Sequence, residues 1–261
     1  MNKIESGLEV VWGLRLAEVA ESLRENNFKA DIFSNLAEAV DFFKSAIIAD
    51  LVPKSVAVGG SQTVTLSGLY DILNSLPNMD FLNPYTPGLS KEELILQRRQ
   101  AFFADLYVTS TNALTRQGNL VNLDGLGNRV AAMIYGPTHV VLFVGRNKIC
   151  DDLDAAISHI TQFAAPANSI RLSRKTPCVK TGSCMDCKSP ERICNAWSVI
   201  EKSNPAGRIH VWRIQVVSAT PPVLDKKARC GNTLALYPPQ MRELCTTRTL
   251  PRKNAITFSV V

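Results

Sequence analysis

Cys178, Cys184, Cys187 and Cys194 fall within seventeen residues of the segment TPCVKTGSCMDCKSPERICN, spaced C-x5-C-x2-C-x6-C. Thiolates at this density, with Gly182 and Pro190 among them, form a loop able to wrap one soft metal centre. No histidine lies in the segment, so the donor set is all sulfur. Such a set suits a [4Fe–4S] cluster or a structural zinc ion. Zinc ribbons carry two C-x2-C pairs, whereas only Cys184 and Cys187 form one here. The irregular outer spacing leans to the cluster, with zinc as the alternative.

Two further groups carry chemistry. Gly59-Gly60-Ser61-Gln62-Thr63 ends an apolar run. Two glycines let a ligand approach the backbone closely, and a helix start with the Ser61 and Thr63 hydroxyls suits a phosphate or carboxylate. A plain strand–helix turn with Ser61 as cap explains the same residues. The segment has neither the GK[ST] of a Walker A loop nor a G-x-G-x-x-G fingerprint. The second group is Asn122, Asp124, Gly125, Gly127, Asn128 and Arg129, with Asn112 and Thr115 just before it. Asp124 is the expected general base, or else a carboxylate that binds hydroxyls, and Arg129 is the expected anion clamp. A polar turn with a surface arginine is the competing explanation. His139, His159 and His210 are scattered, and no GxSxG elbow is present.

These residues need elements to hold them. Residues 6–26 place Leu8, Val11, Val19 and Leu23 mostly on one helical face. Ser34 caps an expected helix to about Ala49, with Val40, Phe43 and Ile47 inward. SVAVGG (55–60) reads as a strand and tight turn, and Ser90 with Glu93 as a capping box opening a helix through Ala104. ADLYVTST (104–111) and THVVLFVG (138–145) read as buried strands, with a polar loop and a short helix between them. DDLDAAISHITQFAA (151–165) is helical, starting at Asp151. Alternating strands and helices predict an α/β, Rossmann-like fold around a largely parallel sheet. The expected organisation is one domain over residues 1–210, with the cysteine loop at 176–195.

Composition limits the functions. The net charge is +6, from 29 Lys+Arg and 23 Asp+Glu. Residues 211–261 carry eight basic side chains against Asp225 and Glu243, which accounts for all of it. The remainder is neutral and has no electrostatic footprint for nucleic acid. No apolar run is long enough to cross a bilayer, and the start lacks a secretory pattern, so a cytoplasmic protein with reduced thiols is expected.

SVAVGGSQT, the run ADLYVTSTNALTRQGNLVNLDGLGNRVAAMIYGPTHVVLFVGRNKI and the cysteine segment together resemble the lactate-utilisation (LUD) domain family, in its cysteine-loop branch. The resemblance covers roughly residues 10–210 and is most specific over 104–149. It implies a fold like the glucosamine-6-phosphate deaminase, ribose-5-phosphate isomerase and CoA-transferase superfamily. It also implies an accessory role beside iron–sulfur oxidoreductase partner subunits that oxidise L-lactate to pyruvate. A small carboxylate or phosphorylated ligand would lie between Gly59–Thr63 and Asp124–Arg129. A stand-alone isomerase- or transferase-like enzyme with a zinc loop, or a non-catalytic binding module, is the alternative; a homo-oligomer is compatible with either. The family pattern expects a last strand of the type RIHVVLVGEDLGF, and this chain departs from it after His210. The basic residues 211–261 are therefore expected to be a non-homologous or frameshifted tail.

Overall fold

The computed structural model describes residues 3–216; the expectation for the tail beyond them lies outside the described residues. Ten strands form two sheets: β1 Lys29–Asn35, β2 Ser55–Val58, β3 Asp80–Leu82, β4 Leu106–Thr109, β5 Ala113–Thr115, β6 Leu120–Asp124, β7 His139–Gly145, β8 Ile149–Cys150, β9 Ala196–Ile200 and β10 Ile209–Val216. The main sheet is six-stranded and wholly parallel, in the order β1-β10-β7-β4-β2-β3. A smaller sheet runs β8-β5-β6-β9 and is mixed. The architecture is Rossmann-like α/β.

Hydrophobic runs explain the main sheet. Every residue of β4 is buried, as a strand covered on both faces requires. Helices α1 Lys3–Glu25, α2 Leu36–Phe42, α3 Ala49–Leu51, α4 Gln62–Leu66, α5 Leu69–Ser75 and α6 Lys91–Gln100 come before it in the chain. Helices α7 Asn128–Ile134, α8 Leu153–His159, α9 Ala165–Arg171 and α10 Cys178–Thr181 come after it. One core holds Val19, Leu23, Val140, Val144 and Val211. A second holds Val40, Phe43, Phe143 and Trp212, and a smaller third holds Ala113, Val121, Ala156 and Ile160.

Several expectations shift. Val19 and Leu23 are buried as the α1 pattern predicts, but Leu8 and Val11 are exposed. Helix α2 is capped by Asn35, because the Ser34 amide donates to Glu38 instead. Beyond Phe42 it widens into a π-helical turn over Phe43–Ile48. The capping box at Ser90 and Glu93 is present, and α6 then tightens into a 3-10 turn at Ala101–Phe103. Asp152 rather than Asp151 caps α8. The polar stretch between β4 and β7 contains two strands, β5 and β6, which found the second sheet.

Strand β10 carries the main sheet past residue 210, between β1 and β7. Within it Arg213 is fully buried between Ile32 and Val144, and its guanidinium nitrogens have no hydrogen-bond partner. Burial pushes its pKa down to about 10. A charge at this position is costly, and it coincides with the departure from the expected apolar last strand.

Candidate functional site

Strands β2 and β4 are neighbours, while the chain leaves β2 for the edge strand β3 before returning to β4. Their carboxyl ends therefore flank a point where strand order reverses, the usual ligand crevice of open α/β sheets. The Gly59–Thr63 turn leaves β2 there, and Ser110–Asn112 leaves β4 beside it.

The glycine turn is closely packed. The Gly59 amide donates to Val108 O at 2.9 Å. A Cβ on Gly59 would stand 2.6 Å from Thr109 Oγ1, and against the Tyr107 hydroxyl. A Cβ on Gly60 would stand 2.8 Å from the Tyr85 hydroxyl. Ser61 caps α4 by accepting from Val64 N at 3.2 Å, and Thr63 is buried. Burial, and then neighbouring Tyr70, push the Tyr85 phenol up; Arg98, Arg129 and Asp124 also act on it. Tyr107 is pushed up chiefly by burial, and it too feels Arg129 and Asp124. The two groups expected from the sequence thus face a common pair of phenols.

Asp124 and Arg129 form one closed network. Arg129 Nε donates to Asp124 Oδ1 at 3.2 Å, and its amide to Asp124 Oδ2 at 3.1 Å. Nη1 reaches Ser110 O at 2.8 Å and Asn122 Oδ1 at 2.7 Å; Nη2 reaches Asn112 Oδ1 at 2.6 Å. Asn112 and Asn122 are linked in turn through backbone amides of β6 and the β4–β5 bend. Four of the five guanidinium hydrogens are engaged within the protein, which suits Arg129 to positioning better than to clamping an anion. Gly127, at φ +83°, lets the chain turn into α7, where Asn128 is the first residue. Thr115 is buried, and its hydroxyl accepts from the Asn119 amide.

Three residues that the sequence reading missed belong here. Tyr85 covers Gly60. Arg98 on α6 has an enclosed Nε without a partner, beside the Tyr85 phenol. Lys148 follows β7, and its Nζ donates to Ser110 Oγ at 2.7 Å and Thr111 O at 3.0 Å. Thr109 Oγ1 and Asn122 Nδ2 are also buried without partners near these strand ends. None of these positions belongs to a motif, which is why sequence reasoning passed over them.

The cysteine loop lies closer to this crevice than its place in the chain suggests. Strand β9, which follows the loop, pairs with β6 so that Asp124 faces Ala196. Asn195 N donates to Asp124 O at 2.9 Å, and Asn195 Nδ2 to Gly125 O at 3.1 Å. A Cβ on Gly125 would lie 3.4 Å from Ile193 O. The loop is thereby seated on the turn that carries Asp124.

All four thiols rim one small cavity, walled by Ala165, Pro166, Met185 and Ile193. Each of the four is free. Cys178 Sγ lies 3.2 Å from Thr176 Oγ1, and Cys184 Sγ accepts from Asp186 N at 3.4 Å. Arg192 braces the loop by donating to Cys194 O at 2.8 Å, Cys187 O at 2.7 Å and Asp186 Oδ1 at 3.0 Å. Burial pushes the Cys194 thiol up while Arg192 pulls it down. As they stand, no three His, Cys, Asp or Glu side chains among the described residues are drawn tightly enough to hold an ion. The donor chemistry and its convergence fit a sulfur-ligated centre, and closure would follow the metal. Cys184 and Cys194 also border an open groove of about 340 Å³ with Thr161, Gln162, Arg192 and Trp197.

No helix among the described residues is long and apolar enough to cross a membrane. A family model described as the LUD domain matches residues 16–212. A solved structure of a DUF162 family protein from Deinococcus radiodurans is similar, with a TM-score of 0.45 and 13% identity over 78% of this chain and 98% of that chain. No curated protein matches the chain.

Proposed function

Because the chain belongs to the LUD domain family, we propose that it serves lactate or related 2-hydroxy-acid utilisation as an accessory subunit of an iron–sulfur L-lactate oxidation system. Cys178, Cys184, Cys187 and Cys194 would hold a [4Fe–4S] cluster, which supplies one-electron transfer when bound. The small acid would lie in the crevice between Gly59–Thr63 and Asp124–Arg129. Gly59 and Gly60 let the turn pack against Tyr107, Thr109 and Tyr85 at the wall of that crevice, and Arg98 offers a charge. Asp124 is the base of this reading, held in place by Arg129.

The observation that carries the reading is the hydrogen bonding of Asn195 to Asp124 and Gly125, one residue from Cys194. It supports a metal centre and a substrate cleft working as one unit. The free thiols suit a reducing compartment, which supports a cytoplasmic protein. Met185 and Trp197, exposed beside the loop, offer a contact surface for an oxidoreductase subunit.

Anaerobic purification tests the cofactor directly. The expected result is a brown protein absorbing broadly near about 400 nm with about four irons per chain. A colourless protein with one zinc per chain overturns the redox reading and leaves the zinc-loop isomerase or transferase in its place.

A further inference from the structure

The charges around the β4–β5 bend do not balance. Arg129 reaches Ser110 O from α7, and Lys148 reaches Ser110 Oγ and Thr111 O from the turn after β7. Two cations therefore grip one short segment. Asp124 pairs with Arg129. No salt bridge among the described residues involves Lys148, whose hydrogen-bond acceptors are neutral. The other titratable groups near it are the Cys150 thiol on β8, whose Sγ lies 3.7 Å from the Lys148 backbone carbonyl and not against the ammonium, and His159 on α8, whose pKa is lowered by burial and by the Lys148 charge. Neither supplies a negative charge at neutral pH.

Lys148 is half-buried, and among the described residues its ammonium has no counter-charge, so it is relieved by shedding its proton or by gaining an anion. Burial, with Arg129 second, pushes Lys148 down to about 7, so both states are within reach near neutrality. A single uncompensated charge calls for a single negative charge. That favours a monocarboxylate over a phosphate dianion, because Arg129 has little donor capacity left for the second charge.

We propose that a small monocarboxylate docks against Lys148 Nζ, and that its arrival brings one proton from solution onto that amine. The inference rests on the anion-cleft reading above and adds the residue, the ligand charge and the proton linkage. Lys148 is then the binding counter-charge, and pH sets the affinity. Above about pH 7 the ligand-free amine is mostly neutral, so affinity falls about tenfold for each pH unit until the liganded pKa is reached.

Calorimetric titration with pyruvate, in paired buffers of different ionisation enthalpy, reads this out on the intact wild-type protein. Clear proton uptake per pyruvate is expected at about pH 8, and much less at about pH 6, from an amine titrating near about 7. Lys148→Arg should bind pyruvate with no linked proton at either pH, and Lys148→Met should bind at least about tenfold more weakly. Wild-type binding without proton uptake at about pH 8, or undiminished binding by Lys148→Met, overturns this inference and leaves the cleft reading standing. Tighter binding of inorganic phosphate than of pyruvate overturns the carboxylate assignment. Failure of the wild type to bind either anion overturns both.

Discussion

The Asp124–Arg129 turn and the cysteine loop meet at Asn195, yet they are built in opposite ways. In the turn, buried polar groups answer one another: the guanidinium reaches Asp124, Ser110, Asn112 and Asn122, all from neighbouring strand ends. In the loop, the sulfurs find a hydroxyl and an amide, and Arg192 braces the carbonyls of Cys187 and Cys194. Polypeptide alone satisfies the Asp124–Arg129 pair in the first region, with Asn122 Nδ2 left over. The second has its donors gathered around a cavity but not closed. On the proposed sulfur-ligated centre the two divide the labour: the rigid turn is the platform, and the loop would take its final form on binding metal.

The largest expected effect comes from breaking the platform. Arg129→Met strands the Asp124 carboxylate and leaves the Asn112 and Asn122 side-chain oxygens short of donors. A loss of about 3–5 kcal/mol is expected, the usual cost of removing one partner of a buried pair. Urea unfolding measures it, and a loss below about 1 kcal/mol would show that the turn is less self-sufficient than the comparison holds.

Cys187→Ser attacks the other side. Bound metal should disappear, and limited proteolysis should cut between residues 178 and 194 at least about tenfold faster, with little change in global unfolding. Equal loop protection in the variant would mean that the loop, like the turn, is complete without metal. The smallest effect is expected at the junction. Asn195→Ala removes its side-chain bonds to Gly125 O and Arg192 O, and should cost about 1 kcal/mol. Its sharper readout is a faster metal loss to a chelator; an unchanged rate would separate the two regions functionally.

The sequence made some of this legible and hid the rest for physical reasons. Strands β2, β4 and β7 are apolar runs because both faces are covered, and such runs are visible without a partner. Ser61 and the Ser90–Glu93 box are local bonds, so local reading finds them. Strand β6 was hidden inside a polar stretch because Asn122, fully buried, answers Arg129 rather than the hydrophobic pattern. The apolar stripe of α1 continues through Leu8 and Val11, but the core beneath it does not. The four cysteines were evident from spacing. Their seat beside Asp124 depends on β9 pairing with β6, a contact between segments about seventy residues apart that no spacing rule reports. Lys148 had no pattern around it; only the missing counter-charge distinguishes it.

Strand order also bears on how the chain is made. β10, the last strand described, sits between β7 and β1, and among the described residues β1 pairs with no other strand. During synthesis the first strand and the long helix before it must wait, without a sheet neighbour, until nearly two hundred residues have followed. A chain that ends before Ile209 would hold a four-stranded sheet, β7-β4-β2-β3, with β7 left as an open edge and the first helix and strand detached from it. Nascent chains of this protein should therefore depend on chaperone shelter late in translation, in contrast to folds that close from the N-terminus inward.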